Sequence, residues 1–378
     1  MTERMPRRKF LQGAACAVAA PMINFGAYAA FADAGPKYSA RTMKLMERSL
    51  VLDMLESPKL DYTPRAYVHR LSEQEVAVFR SSGVKAFHYA EGIGGPTAYE
   101  DVLARLAAWH GFVGRNSDLF TLVDRLEDIE RARAADKIAV IMGVQNAEHF
   151  RSAADVATFH ELGQRCAQLT YNEQNLIGSG STDRVDGGVS DYGVEIIKKM
   201  NEVGMLVDVS HSGDRTTLDA IELSTKPIAI THSNCRALNN HPRLKTDEAI
   251  RKLAAKGGVM GITGVRNFVR DREPTTVEHI VDHIDHVVKL VGIEHVGIGT
   301  DSDLNGYDDM PPDQLKQIRA GYKGSYAFRD KLDTEGFDDP KRFFNLTEAL
   351  VRRGYSDADI EAILGGNFKR LLGQVWIA

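Results

Sequence analysis

The sequence predicts an α/β fold, a (β/α)8 TIM barrel with loop insertions and a C-terminal helical extension. Eight short apolar runs rich in Val and Ile recur along the chain, separated by longer segments of helical periodicity, as repeated βα units around a parallel sheet require. No Gly-rich dinucleotide fingerprint follows the first run, which argues against an open, doubly wound sheet. Polar residues able to bind metal or move protons collect at the C-terminal ends of several runs, where barrels of this kind keep their chemistry.

The runs cover 50–55, 84–89, 138–144, 166–170, 205–209, 227–231, 258–262 and 295–299. Helical periodicity fills 72–82, 98–133, 152–164, 191–202, 213–224, 246–256 and 275–291. Asp191 and Asp214 stand where N-caps belong, and Gly204 and Gly257 stand just past helix ends, where a left-handed residue closes a helix. After the last run, an extension over 304–340 leads to a helical pair at 344–353 and 356–372. Ser356 caps its second member, with Asp359 in the place of the capping-box acid. No Gly, Ser or Pro linker interrupts residues 30–378, so they are expected to form one domain.

The composition is that of a globular protein, 43% hydrophobic and 26% charged, with enough length for a large core. The net charge of -5 and the lack of a run of Lys and Arg interleaved with aromatics argue against nucleic acid and leave small molecules as expected partners. At the start, Arg7-Arg8-Lys9-Phe10-Leu11 precedes an Ala-rich apolar run, and Ala27-Tyr28-Ala29 offers a small-residue cleavage site. Residues 1–29 therefore resemble a twin-arginine export signal, with Pro6 and Gln12 departing from the usual pattern; a buried first helix is the alternative. The expected destination is the periplasm or cell envelope. Cleavage would take Arg4, Arg7, Arg8 and Lys9 against Glu3 alone, leaving a more acidic chain. It would also leave only Cys166 and Cys235, too few for a disulfide framework. Past the signal no stretch approaches the roughly 18 to 20 apolar residues needed to span a bilayer.

Three strand ends carry the candidate chemistry. They read Val207-Asp208-Val209-Ser210-His211, Ile230-Thr231-His232-Ser233-Asn234 and Gly299-Thr300-Asp301-Ser302-Asp303. Neighbouring strands lie about 4.8 Å apart, so imidazoles at two adjacent tips can reach one ion, and Asp301 can serve as ligand or as general base. A lone His at a barrel rim is more often a hydrogen-bonded structural residue; two at adjacent strand ends with an Asp nearby favour a metal or catalytic role.

These segments, together with Ile363-Leu364-Gly365-Gly366-Asn367-Phe368, resemble the signatures of the membrane dipeptidases, a family of amidohydrolase-like barrels, and the likeness extends over the chain beyond the signal. The resemblance implies a zinc-dependent hydrolase of dipeptides that works with two zinc ions. It implies that His211 and His232 bind the second ion, that Asp301 shuttles the proton between water and leaving amine, and that Arg243 pairs with the substrate carboxylate, a task that suits a planar guanidinium. Taken alone, Arg243 reads equally well as a solvated charge beside a helix.

The first-metal half departs from the family. Where its first strand ends in Asp-Gly-His-x-Asp, this chain has Asp53-Met54-Leu55-Glu56-Ser57, so both exclusive ligands are replaced unless Glu56 or Asp61 moves in. Gln145 stands at the bridging position of a glutamate, with Glu148 and His149 as nearby substitutes that would need a bend in the chain. Tyr171 stands where the family has a substrate-binding histidine and keeps one hydrogen-bond donor for an oxyanion. His88 and Tyr89 could line the same rim, and the loop with Asp308 and Asp309 could cover it. The expectation is a metal-dependent hydrolase of dipeptides or related small amides holding one Zn2+ rather than two. The alternative is a member that has lost hydrolysis and binds a ligand, or catalyses a metal-free step with Asp301 and Tyr171. A homodimer is left open by the sequence.

Overall fold

The parallel strands follow from the burial of their runs on both faces. In the computed structural model, which describes residues 37–60, 67–307 and 310–376, the strands are β1 (Leu52–Asp53), β2 (Ala86–Tyr89), β3 (Phe120–Leu122), β4 (Ile138–Val144), β5 (Gln164–Gln168), β6 (Leu206–Asp208), β7 (Ala229–Ser233), β8 (Val259–Ile262) and β9 (Val296–Ile298). Every residue of β4 is buried, as a strand covered on both faces demands. The order is β1-β2-β4-β5-β6-β7-β8-β9, all parallel, with β3 attached to β4 outside the ring. The ends meet where Met54 N donates to Ile298 O at 2.9 Å and Asp301 N to Leu55 O at 2.9 Å, so eight of the strands form a nearly closed barrel. The expected (β/α)8 fold is present, within a compact unit that runs from Arg41 to Ala378.

The two ends of the barrel differ in chemistry. Leu52, Ala86, Leu206, Ala229 and Val259, each the first residue of its strand, share one apolar cluster with Phe368, Leu371 and Leu372 of the C-terminal helix Asn367–Val375. That helix plugs the N-terminal end and leaves the C-terminal end to polar groups.

Several expected boundaries move. The single helix expected over 98–133 is three elements: helix Ala98–Arg115, strand β3 and helix Glu127–Ala134. Asn116 ends the first helix by folding its side chain back, Nδ2 donating to Phe112 O at 2.9 Å and Oδ1 accepting from Leu71 N at 2.9 Å, an alternative to the helical ladder that Asn offers readily. Ser190 and Gly213, not Asp191 and Asp214, are the N-cap residues; Ser190 Oγ accepts from Gly193 N at 3.0 Å, and the aspartates occupy the first turns. Gly204 does close its helix in the left-handed conformation, and the Ser356–Asp359 capping box forms. The extension over 304–340 contains helix Pro312–Gly321, started by Pro at its first turn.

The export signal over 1–29 lies outside the described residues, as do Asp61, Asp308 and Asp309. Cys166 and Cys235 are both buried and free. Among the described residues no helix is long and apolar enough to cross a membrane.

Two glycines let the strands close around β7. A Cβ on Gly261 would stand 1.9 Å from Thr231 O, and one on Gly299 would stand 2.0 Å from the same atom. Gly261→Ala should therefore lower stability by roughly 1 to 3 kcal/mol or more, since the obstacle is backbone. Chemical denaturation checks this, and an unchanged midpoint would mean that the β7–β8 contact is looser than described.

Candidate active site

Asp208, at the end of β6, organises the mouth. Its Oδ1 accepts from Ser210 N at 2.9 Å, Ser210 Oγ at 2.6 Å and Thr231 N at 3.0 Å, while Oδ2 accepts from Thr231 Oγ1 at 2.6 Å. Having donated its proton there, Thr231 Oγ1 accepts from His232 Nδ1 at 2.8 Å. On the neighbouring strand end, His211 Nδ1 lies 2.7 Å from Asn172 Oδ1, an acceptor. Both imidazoles are thereby protonated at Nδ1, and their Nε2 lone pairs face each other at 3.0 Å. Two lone pairs at that distance repel, so the pair calls for a cation or a proton between them. Burial first, then the Arg243 cation, holds both rings well below the usual imidazole range and keeps them neutral.

Two buried cations fix the turn that carries His211. Lys245 Nζ donates to Val209 O at 2.7 Å, Ser212 O at 2.8 Å and Thr217 Oγ1 at 3.0 Å. Arg243 donates through Nη1 to Ser210 O and through Nη2 to His232 O at 3.2 Å. Burial brings the Lys245 ammonium down to about 7. Arg243 is fully buried, its guanidinium held against the backbone of Ser210 and His232.

A cavity of about 600 Å³ opens beside this cluster, lined by Asp301, Tyr171 and Gln145 from the mouth, by Glu91 and Arg105, and by side chains that include Tyr307, Met310, Tyr322 and Leu332. Asp301 adopts φ 60°, a left-handed conformation that Asp tolerates better than most residues and that recurs at functional sites. Burial pushes its carboxyl up to about 7, against the lowering effect of Arg243. Gln145 donates through Nε2 to Ala90 O at 3.0 Å, which leaves Oε1 buried with no partner among the described residues. Tyr171 stacks on His211 with ring centroids 4.2 Å apart and planes at 19°, and its hydroxyl meets that of Tyr322 at 2.6 Å. Burial pushes that phenol up to about 12. The tyrosine roofs the imidazoles: His211 and His232 are 2% and 0% exposed and do not line the cavity.

The other half of the mouth holds no second set of donors. Leu55 is buried, and Glu56 is paired with the Arg342 guanidinium at 3.0 Å, an ion pair without hydrogen-bond alignment. Burial, ahead of the Arg342 charge, pushes the Glu56 carboxyl well up. His149 is committed at both ring nitrogens, to Asn146 O and Gln164 Oε1, each at 3.0 Å. Glu148 Oε2 accepts from Gly95 N at 3.0 Å and Asn146 Nδ2 at 3.2 Å. Neither takes the place of the missing bridging carboxylate. His88 points into the barrel with Nδ1 on Met54 O at 2.8 Å, and Tyr89 packs on Trp109, so neither lines the main cavity. Among the described residues no group of three or more His, Cys, Asp or Glu could hold a metal ion.

Sequence reasoning passed over Asn172, Lys245 and Glu91. Asn172 follows Tyr171 directly at a strand end and adopts φ 59°, so its position was the available signal. Glu91 lies two residues past β2, and burial pushes its carboxyl up to about 7 against Arg105.

A family model described as membrane dipeptidase (Peptidase family M19) matches residues 45–320. Dipeptidase verJ of Clonostachys rogersoniana is 31% identical over 70% of this chain, a match that spans 63% of its own length, under two thirds. An amidohydrolase from Pseudomonas aeruginosa, solved as a crystal structure, superposes with a TM-score of 0.78 at 29% identity, covering 89% of this chain and 99% of its own. The probable dipeptidase PvdM from Pseudomonas aeruginosa has the same fold, with a TM-score of 0.73 at 21% identity over 88% of this chain and 97% of its own.

The half-buried Asp301 makes a signed prediction. A folded-state value of about 7, against about 3.9 unfolded, means that the folded chain holds this proton more tightly, so stability falls as pH rises between the two. Asp301→Asn should match the original chain near pH 4 and exceed it above pH 7 by an amount on the order of 4 kcal/mol at most. Equal stabilities at both pH values, measured by denaturant titration, would place the carboxyl in water.

Proposed function

The chain belongs to the membrane dipeptidase family, and on that premise we propose that it is a metal-dependent hydrolase of dipeptides or related small amides, exported to the periplasm or cell envelope by its first 29 residues. The observation that carries the reading is the convergence of two neutral imidazoles, Nε2 to Nε2 at 3.0 Å, at a mouth where the Asp301 carboxyl is brought to about 7.

His211 and His232 would hold one Zn2+, and a cation there supplies Lewis-acid polarisation of the scissile carbonyl and acidifies water. Asp301 takes the proton from the attacking water and returns it to the leaving amine, a two-way role that a carboxyl near neutrality performs best. The paired hydroxyls of Tyr171 and Tyr322 provide a donor for the developing oxyanion. Gln145 Oε1, buried at the cavity wall with no partner, accepts from a substrate N–H. Reaching the histidines from the cavity requires the Tyr171 ring to leave its stack on His211.

A second reading is favoured by that same roof. With the imidazoles outside the cavity lining, the chain would bind its ligand without hydrolysis, or use Asp301 and Tyr171 without metal. Zinc analysis after loading, paired with assays of L,L and L,D dipeptides, separates the two. The hydrolase reading expects about one zinc per chain. His211→Ala should lose the ion and at least about a hundredfold of turnover, while Asp301→Asn should keep the ion and lose roughly 10² to 10⁴ in kcat. A loaded chain with no zinc and no turnover sinks the first reading in favour of the second.

A further inference from the structure

Arg105 stands out among the groups that the proposed chemistry leaves unused. It lies on helix Ala98–Arg115, where Asp101, Ala104, Arg105 and Ala108 follow the i, i+3, i+4, i+7 spacing of one face, and all four line the cavity. Arg105 Nε meets Glu91 Oε2 at 3.1 Å, and the planar group sits 6.0 Å from the Tyr67 ring centroid. Its two Nη groups make no hydrogen bond to any described residue. Asp101, by contrast, already accepts from Thr97 Oγ1 at 2.8 Å.

Arg243, the guanidinium that the family resemblance assigns to a substrate carboxylate, is engaged elsewhere. Both of its Nη atoms donate to backbone carbonyls, its Nε is buried without a partner among the described residues, and it does not line the cavity. Among the described lining residues, Arg105 is the one Lys or Arg. The same cavity is lined by the apolar side chains of Met310, Leu315, Ile318, Phe328 and Leu332.

We propose that Arg105 is the carboxylate-binding group of this cavity, and that its ligands are small molecules carrying a carboxylate together with a large apolar side chain. A guanidinium with a free Nη edge matches a carboxylate with two parallel hydrogen bonds, which a neutral amide cannot reproduce. The apolar segment receives the side chain, and Glu91 competes with the ligand for the same cation. The inference deepens the hydrolase reading and rests on it for the choice of cavity, but it concerns binding and needs no turnover.

Calorimetric binding of 3-phenylpropionate and of 3-phenylpropanamide to the full chain tests it. The carboxylate should bind about tenfold or more tightly than the amide, the worth of a charge-assisted hydrogen bond. Arg105→Gln should erase that preference while leaving amide affinity unchanged, so the amide also reports on folding. Glu91→Gln, which removes the competitor, should strengthen binding of the carboxylate alone. A preference that survives Arg105→Gln overturns the proposal, as does an original chain that binds the two probes equally. Should Arg105→Gln fail to fold, a Glu91→Gln chain with unchanged carboxylate affinity overturns it too. Failure to hydrolyse any dipeptide would count against the hydrolase reading and leave these binding results to stand by themselves.

Discussion

The mouth of the barrel depends on one carboxylate. Asp208 accepts four hydrogen bonds, two from Ser210 and two from Thr231, and so ties the end of β6 to the end of β7. A buried carboxylate is costly unless its lone pairs are satisfied, and here that requirement is met by the residues that precede the two histidines. The tautomer of His232 follows directly, because Thr231 Oγ1 spends its own proton on Asp208 and can only accept from the ring. The close approach of Gly261 and Gly299 to Thr231 O keeps the same strand end in place from the other side.

Around that tie, charge is arranged to keep the imidazoles neutral. Arg243 and Lys245 hold the 209–212 turn by its carbonyls and bring positive charge where a protonated ring would be repelled. Asp301 is held by burial in the opposite condition, with a carboxyl able to gain or lose its proton near neutrality. The site therefore separates its proton-accepting groups by environment, a pattern shared by sites that carry acid and base chemistry on similar side chains.

Much of this was legible in the sequence. The eight apolar runs each contain or overlap a strand, those at 166–170 and 227–231 set two residues off from β5 and β7, and the strand-end motifs place His211, His232 and Asp301 at one end of the barrel. Strand β3 was not legible: three residues between two helical patterns carry too short a period, and the break at Asn116 is made by a contact with Leu71 that is distant in sequence. The roof of Tyr171 over His211 could not be read either, since a stack between two loops after different strands has no local signature. The same holds for Arg342, which crosses from a late helix to pair with Glu56 and occupies the ground beside the substituted first-metal positions. Nor does spacing reveal that Arg243 gives both Nη groups to backbone carbonyls while Arg105 lines the cavity.

The central claim is that His211 and His232 present paired, unprotonated Nε2 atoms to one cation. Nitrogen-15 NMR of the imidazole rings reads this directly, since protonated and bare ring nitrogens resonate far apart. The account predicts Nδ1–H tautomers for both residues near neutral pH and a shift of both Nε2 signals, completed at one equivalent of added zinc. Nε2–H tautomers, or Nε2 signals that ignore zinc, would contradict it.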